Sequence, residues 1–264
     1  MKIKAFALVF FLFSAHRSLS QILVGPVAGG QYSWISFGDK ENKDLYKVKP
    51  VPGYHAGAAL SFLVRKRFFL HTSFLYSTKG KIIEGKSGEP LKNRVTYHYI
   101  DVPILYTVDF KAKLGRLKEF KYYVGLGPNV SYWLGGKGKI TYVDYGDNLV
   151  SDQPYTIQFN PGSGDTPSDE MTIAADANRI QLGLCLTAGA VFEPVTHRKF
   201  MVNLRYELGH SFFNPTRNGM FKDTYYQDVL RSRNQGIRLS VAYLVDLRTG
   251  ERKKGKSTIK RNRL

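Results

Sequence analysis

Four charged side chains fall at positions from which they could act on one another. Each belongs to a segment in which apolar residues alternate with small or polar ones, and each lies on the less apolar face. The four residues are Asp101, Arg205, Glu207 and Arg238. Buried charges have to pair, because an isolated buried charge is costly. The group is therefore consistent with two roles: a polar path through an interior, or an ion-paired network that closes it.

A second candidate for chemistry is the pair His71 and Ser73. Residues two apart on a strand project from the same face, so a base and a hydroxyl would lie side by side. Activating a serine requires a neighbouring base and a third group that orients this base. No acidic residue close in sequence supplies the third group, and Glu207 is a distant candidate. On the sequence alone, the set of three groups needed to activate the serine is therefore incomplete.

Eight segments with a two-residue alternation must position these side chains. In 120–134 one face is apolar throughout, while the other carries Gly125, Gly127, Asn129 and Ser131. The eight segments are 22–34, 54–64, 68–76, 96–108, 120–134, 180–192, 200–208 and 237–245. Each is about as long as a tilted strand needs to be to cross the hydrocarbon core of a bilayer. Eight is also an even number, as a bacterial single-chain barrel requires.

The sequence therefore predicts an all-β fold, an eight-stranded antiparallel transmembrane up-and-down β-barrel. The interior of such a barrel is just wide enough for side chains to fill, so for the four charges we favour the network that closes it. Two short segments, 140–145 and 155–159, resemble a further hairpin. This hairpin would either extend the wall above the membrane or raise the count to ten strands. We favour eight, because both pieces are short and lie among acidic and glycine-rich residues.

The first twenty residues have the pattern of a secretory signal peptide. Lys2 and Lys4 precede an apolar run at 5–15, and the segment closes with Ser18-Leu19-Ser20. We predict three parts: a signal peptide at 1–20, an outer-membrane β-barrel at 21–247 and a basic periplasmic tail at 248–264. After cleavage no stretch of 18 apolar residues remains, so an integral membrane protein of this sequence has to be a barrel.

Charge and cysteine content narrow the function classes. The formal net charge of +18 would suggest nucleic acid for a cytoplasmic protein, but the leader predicts export, so we expect no nucleic-acid partner. The lone Cys185 excludes an intramolecular disulfide framework and zinc sites built on several cysteines. The acidic loop at 136–178 matches no calcium-loop spacing. We therefore expect no metal and no cofactor.

Connections between the segments alternate between short turns and long loops, as in barrels with periplasmic turns and extracellular loops. Basic residues concentrate in the short turns and in the tail. Aromatic residues lie near segment ends and predict interfacial girdles. These residues are Tyr32, Trp34, Tyr76, Tyr106, Tyr122, Tyr132, Phe192 and Tyr243.

Four stretches carry a family resemblance: GYHAG at 53–57, YSTKG at 76–80, YIDVPILY at 99–106 and GLGPNVSY at 125–132. As an ordered set they resemble the PorT-like outer-membrane β-barrel family of the Bacteroidota. The resemblance implies location in the outer membrane of a Gram-negative bacterium. The namesake of the family is needed for type IX secretion, while most members have no assigned activity.

Pro103 and Pro128 lie within two of these stretches and also within predicted strands. Proline removes a donor from the hydrogen-bond ladder of a sheet. We interpret both prolines as β-bulges.

The sequence favours a non-enzymatic integral barrel that is a structural or accessory component of the cell envelope. The family resemblance implies type IX secretion as its context. Its expected partners are outer-membrane lipid and secretion-machine proteins contacted through the basic turns and tail. One alternative is a barrel enzyme acting on lipid A, because the His71–Ser73 pair is similar to the His-x-Ser pair of lipid A deacylases. The other is a soluble lipocalin-like barrel, which requires the row with Arg205, Glu207 and Arg238 to face solvent.

Overall fold

The structure is a computed structural model. It describes residues 22–86, 91–112, 120–144, 149–159, 171–173, 177–195, 198–216, 218–220 and 227–247. The predicted signal peptide at 1–20 and the predicted basic tail at 248–264 lie outside the described residues.

Nearly all of the described chain is β-strand, as its alternating pattern predicts. The strands are β1 (Ile22–Phe37), β2 (Tyr46–Lys49), β3 (Val51–Arg65), β4 (Phe68–Gly85), β5 (Lys92–Ala112), β6 (Phe120–Asp144), β7 (Leu149–Gln158), β8 (Met171–Ile173), β9 (Ile180–Val195), β10 (Arg198–Gly209), β11 (Gly219–Met220), β12 (Gln227–Asp228) and β13 (Ser232–Asp246). One short helix, α1 (Lys40–Leu45), is capped at its start by the Asp39 side chain, which accepts a hydrogen bond from the Asn42 amide.

Eight long strands form a closed antiparallel ring in the order β1-β3-β4-β5-β6-β9-β10-β13, and β13 pairs back to β1. Each of the eight predicted segments lies within one of these strands. The prediction of an eight-stranded antiparallel barrel is confirmed. Short connections join β3 to β4 and β9 to β10 at one end of the ring, which we call the turn end. The opposite end, which includes the longest connections, is the loop end.

The predicted extra hairpin adds no strand to this ring. β6 pairs with β9 over Lys121–Tyr132 and then, over Lys137–Asp144, with β7. Because β7 replaces β9 as the neighbour of β6 only towards the loop end, the hairpin raises the wall on one side. The ten-strand alternative is therefore wrong.

The apolar rows of the strands face outwards and the polar rows face the lumen. Leu184 and Val241 are 43% and 42% exposed, whereas Arg205 and Arg238 are 7% and 2% exposed. This is the polarity of a barrel that is solvated by lipid. The lipocalin-like alternative required the opposite polarity and is wrong. Across the described ranges, no helix is long and apolar enough to cross a membrane.

Neither proline marks a β-bulge, so that interpretation is wrong. The pairing between β5 and β6 keeps one register from Tyr99 to Ala112, a span that includes Pro103 and, on the partner strand, Pro128. The register shifts instead between His98 and Tyr99. A missing donor removes a ladder bond without requiring an extra residue, and the two strands stay aligned around each proline.

Candidate functional site in the barrel lumen

Four charged side chains from four strands meet inside the barrel and form what we call the lumen network: Lys79 on β4, Asp101 on β5, Glu207 on β10 and Arg238 on β13. Arg238 Nη2 lies 2.6 Å from Asp101 Oδ2 and 2.5 Å from Glu207 Oε2. Lys79 Nζ lies 2.6 Å from Glu207 Oε1 and 3.1 Å from Asp101 Oδ1. Each cation contacts both carboxylates, so the charges of the four balance.

Neutral side chains occupy further hydrogen-bonding positions of the two carboxylates. Ser77 Oγ and Ser131 Oγ each donate to Asp101 at 2.5 Å, one to each carboxylate oxygen. Asn129 Nδ2 donates to Glu207 Oε1 at 3.1 Å. A buried ion pair is stable only when its remaining hydrogen-bonding positions are also satisfied. The two serines and the asparagine meet this condition for the carboxylates of Asp101 and Glu207.

A neutral polar layer adjoins the lumen network. Asn234 Nδ2 donates to Tyr99 Oη at 2.9 Å and to Gln181 Oε1 at 3.1 Å. The Tyr99 ring also lies under Lys79, with Nζ 4.8 Å from the ring centroid, where a cation is attracted to the face of an aromatic ring. The ammonium of Lys79 is thus enclosed by two carboxylates and an aromatic face.

Aromatic side chains pack inside the barrel between the lumen network and the loop end, and we call them the aromatic plug. Trp133 is fully buried at its centre. Its ring centroid lies 5.1 Å from that of Tyr97, 4.7 Å from that of Phe159 and 5.0 Å from that of Phe213. Further buried members of the cluster are Ile35, Phe37, Ile83, Val95, Tyr99, Ile140, Tyr155, Ile157, Val229 and Leu230.

The connection between β10 and β13 contributes to the aromatic plug, because it folds into the barrel mouth. Phe213, Val229 and Leu230 come from this connection and are all buried. Asp228 beside them accepts a hydrogen bond from Lys81 Nζ at 2.7 Å, and both side chains are buried. A buried ion pair therefore fixes the connection to the wall at β4.

Ion pairs at the loop end, outside the membrane, are accessible to solvent, unlike the buried pairs of the lumen network. Lys49 Nζ lies 2.6 Å from Glu84 Oε2, and Lys139 Nζ lies 2.6 Å from Asp152 Oδ2. The hydrogen bond from Lys49 lowers the pKa of the Glu84 carboxyl below its ordinary value. Exposed pairs of this kind contribute little to stability.

The structure brings together three of the four charges singled out in the sequence, Asp101, Glu207 and Arg238. Arg205 is buried but forms no ion pair with a carboxylate among the described residues. Lys79 was missed, because the predicted strand ended at residue 76 and the Thr-Lys-Gly-Lys run after it resembles a loop. The signal that could have found it is the continued alternation, in which Ser77 and Lys79 keep the lumen-facing positions of β4.

His71 and Ser73 do not form the pair predicted for a hydrolase. His71 Nδ1 shares a hydrogen bond with Ser61 Oγ on the neighbouring strand. His71, Ser73 and Ser61 line a small cavity of about 40 Å³ in the turn-end half of the lumen. Glu207, the distant candidate for a third group, is bonded to Lys79 and Arg238.

All eight aromatic residues of the predicted girdles occupy outward positions. The exposed members are Tyr32, Tyr76, Tyr106, Tyr122, Tyr132 and Phe192, and the partly buried ones are Trp34 and Tyr243. Several stack on aromatic neighbours across strands, such as Tyr106 on Phe68 at 5.6 Å between centroids. Within the described ranges, no group of three or more His, Cys, Asp or Glu side chains is placed to hold a metal ion.

The sequence model of the outer membrane protein beta-barrel domain matches residues 14–213. The chain belongs to this family. Membership agrees with the closed ring and its outward apolar rows, and it supports location in the outer membrane. No curated protein sequence matches the chain.

Solved structures similar to this outer-membrane barrel are also bacterial barrels of low sequence identity. Neisserial surface protein A is 11% identical with a TM-score of 0.36, and the match covers 85% of this chain and 96% of that one. OprG from Pseudomonas aeruginosa is 8% identical with a TM-score of 0.46, covering 86% and 96%. The outer membrane protease OmpT from Escherichia coli is 6% identical with a TM-score of 0.28, covering 87% and 97%.

The presence of OmpT among these structures corrects one expectation. The sequence led us to predict that the chain is not an enzyme. That prediction is wrong as it was drawn, because the barrels similar to this one include a protease.

Proposed function

We propose that this outer-membrane β-barrel is a sealed structural component of the cell envelope and serves as an accessory to an envelope assembly. The observation that carries the proposal is the lumen network, in which two cations and two carboxylates bond across the interior from four strands. A channel for solutes requires an open interior, and an eight-stranded barrel has little space beyond its own side chains.

Two layers of different chemistry support a closed barrel. Opening a path through the lumen network means separating buried ion pairs, and removing one partner of such a pair typically costs about 3–5 kcal/mol. Opening the aromatic plug means displacing Trp133 and Phe213 from tightly packed neighbours. A solute would have to overcome both barriers in succession.

The turn end offers a surface for partners in the periplasm. Lys66, Arg67 and Lys111 are exposed there and line a vestibule of about 540 Å³. Lys121 and Lys199 line the same vestibule and share the carboxylate of Glu193 at 2.9 Å and 3.3 Å. Such a concentration of cations attracts acidic protein segments over a distance set by salt screening.

For the assembly itself we propose type IX secretion. The support is the ordered resemblance of four stretches to the PorT-like barrels of the Bacteroidota, and two of these stretches contribute Lys79 and Asp101 to the lumen network. In this proposal the barrel holds its loops outside the cell and its basic turn end towards secretion-machine proteins in the periplasm.

Planar-bilayer recording tests the sealed barrel. The purified protein is expected to give no stable conductance steps, because the lumen network and the aromatic plug fill the interior. An open porin added to the same bilayer serves as the positive control. Stable open levels that scale with the amount of inserted protein would contradict the proposal.

An affinity pull-down from solubilised outer membranes tests the accessory role. The wild type is expected to recover secretion-machine subunits, and the triple variant Lys66→Gln, Arg67→Gln, Lys111→Gln is expected to lose them. The triple variant Lys40→Gln, Lys43→Gln, Lys47→Gln on α1 and β2 at the loop end removes the same number of exposed positive charges. It is the matched control and should behave as the wild type. Equal recovery by the turn-end variant, or recovery of no such subunit by the wild type, would argue against the periplasmic contact.

A further inference from the structure

Arg205 is a buried cation that the lumen network leaves without a counter-charge. Only 7% of the residue is exposed. Within the part of the chain that the structure describes, its Nε has no hydrogen-bond partner and no carboxylate lies within ion-pair distance of it. The residue directly across from it on β13 is another arginine, Arg238. Like charges opposite each other on paired strands repel.

The charge count in the middle of the lumen shows the same surplus. Among the residues that the structure describes, three buried cations, Lys79, Arg205 and Arg238, face two buried carboxylates there, Asp101 and Glu207. Both carboxylates are already shared by Lys79 and Arg238 at 3.1 Å or less. Three cations against two carboxylates leave one positive charge, and a buried charge without compensation is costly.

The small lumen cavity lies against this surplus charge. Arg205 lines it, together with the polar side chains of Ser61, His71, Ser73 and Asn203. Two buried atoms of these neighbours, His71 Nε2 and Asn203 Oδ1, also have no hydrogen-bond partner among the described residues. Their hydrogen-bonding capacity is therefore free to be met by a guest in the cavity.

The size of the cavity limits what it can hold. Its volume is about 40 Å³, and one water needs roughly 10–15 Å³ of such space. A halide ion with a water fits this volume, whereas a large organic anion does not. Apolar side chains including Leu105, Met201 and Leu244 form much of the remaining wall, and they favour a small, weakly hydrated ion over a multiply charged one.

We propose that the cavity binds one monovalent anion of chloride size, which neutralises Arg205. The guanidinium supplies the charge and a free N–H donor. The hydroxyl of Ser73, which also lines the cavity, is a rotatable donor that can turn towards the ion. A water that enters with the ion can donate to Asn203 Oδ1.

Unfolding in different sodium salts at one ionic strength tests the site. A ligand that binds only the folded state raises the free energy of unfolding, and once the site is filled this increase grows with the logarithm of the ligand concentration. We expect the unfolding midpoint of the detergent-solubilised wild type to rise when gluconate is replaced stepwise by chloride or bromide, and to follow the logarithm of the halide concentration once the site is filled. Arg205→Gln is expected to remove this dependence, and to be at least as stable as the wild type in gluconate because the surplus charge is gone. Arg233→Gln on β13 is the matched control and should retain the full dependence.

Anomalous diffraction from crystals grown in bromide gives a readout that does not depend on the variants. A peak in the cavity beside Arg205 is the expected result. Peaks confined to surface lysines would mean an adventitious ion only and would overturn the proposal. Equal wild-type midpoints in gluconate and chloride would overturn it too, as would a halide dependence that persists in Arg205→Gln. If Arg205→Gln does not fold, the wild-type midpoints and the anomalous map still show whether the cavity binds a halide.

Discussion

Replacing Asp101 by Asn is expected to lower the free energy of unfolding by about 3–5 kcal/mol. The carboxylate of Asp101 is fully buried and accepts bonds from Arg238, Lys79, Ser77 and Ser131. The amide is nearly isosteric, so the loss is electrostatic: two buried cations would share the single carboxylate of Glu207. Urea unfolding in detergent micelles, followed by circular dichroism, measures the change.

Two further variants make this expectation specific. Asp152→Asn removes a carboxylate from an exposed ion pair with Lys139, and we expect no measurable loss of stability from it. Lys79→Met combined with Asp101→Asn removes one charge of each sign and should recover part of the loss, because coupled neighbours are not additive. A single Asp101→Asn variant as stable as the wild type would show that the lumen network does not hold the strands together.

Replacing Trp133 by Ala is expected to lower the free energy of unfolding by about 3–5 kcal/mol as well. The indole is fully buried in the aromatic plug and contacts the rings of Tyr97, Phe159 and Phe213. Its Nε1 donates to the backbone carbonyl of Gly135 at 3.0 Å. The change leaves a large cavity at the centre of a rigid cluster that cannot collapse around it. The same urea titration detects the loss.

The second tryptophan provides the control. Trp34 lies on the outward face, partly buried, with its centroid 6.3 Å from that of Tyr206 and its Nε1 donating to Gln235 Oε1 at 3.0 Å. Trp34→Ala leaves a gap that detergent or lipid can fill, so we expect a clearly smaller loss. Equal losses from the two variants would contradict the buried role of Trp133.

The sequence predicts the ring because its signal is local. Each strand carries its own two-residue alternation, and the difference between the apolar and polar rows sets which row faces lipid. That is why Leu184 and Arg238 could be placed on opposite faces from the sequence. The charges at Asp101 and Glu207 could be expected to pair, because an eight-stranded lumen leaves them no solvent.

What the sequence did not predict depends on contacts between distant parts of the chain. Lys79 follows threonine and precedes glycine, and this composition resembles a loop until two carboxylates from other strands are seen beside it. Phe213 lies in a long connection, and nothing in its neighbourhood signals that it packs against Trp133. The predicted segments 120–134 and 140–145 are parts of one strand, β6, and its change of partner from β9 to β7 likewise depends on distant parts of the chain.

The filled lumen also has a mechanical consequence. Close-packed protein interiors have low compressibility, and the lumen network and the aromatic plug fill this cylinder from its middle to the loop end. A force applied to the surface loops would therefore tilt or displace the whole cylinder as one body rather than squeeze it. Its two rims, the turn end and the loop end, would keep a fixed separation and a fixed relative orientation.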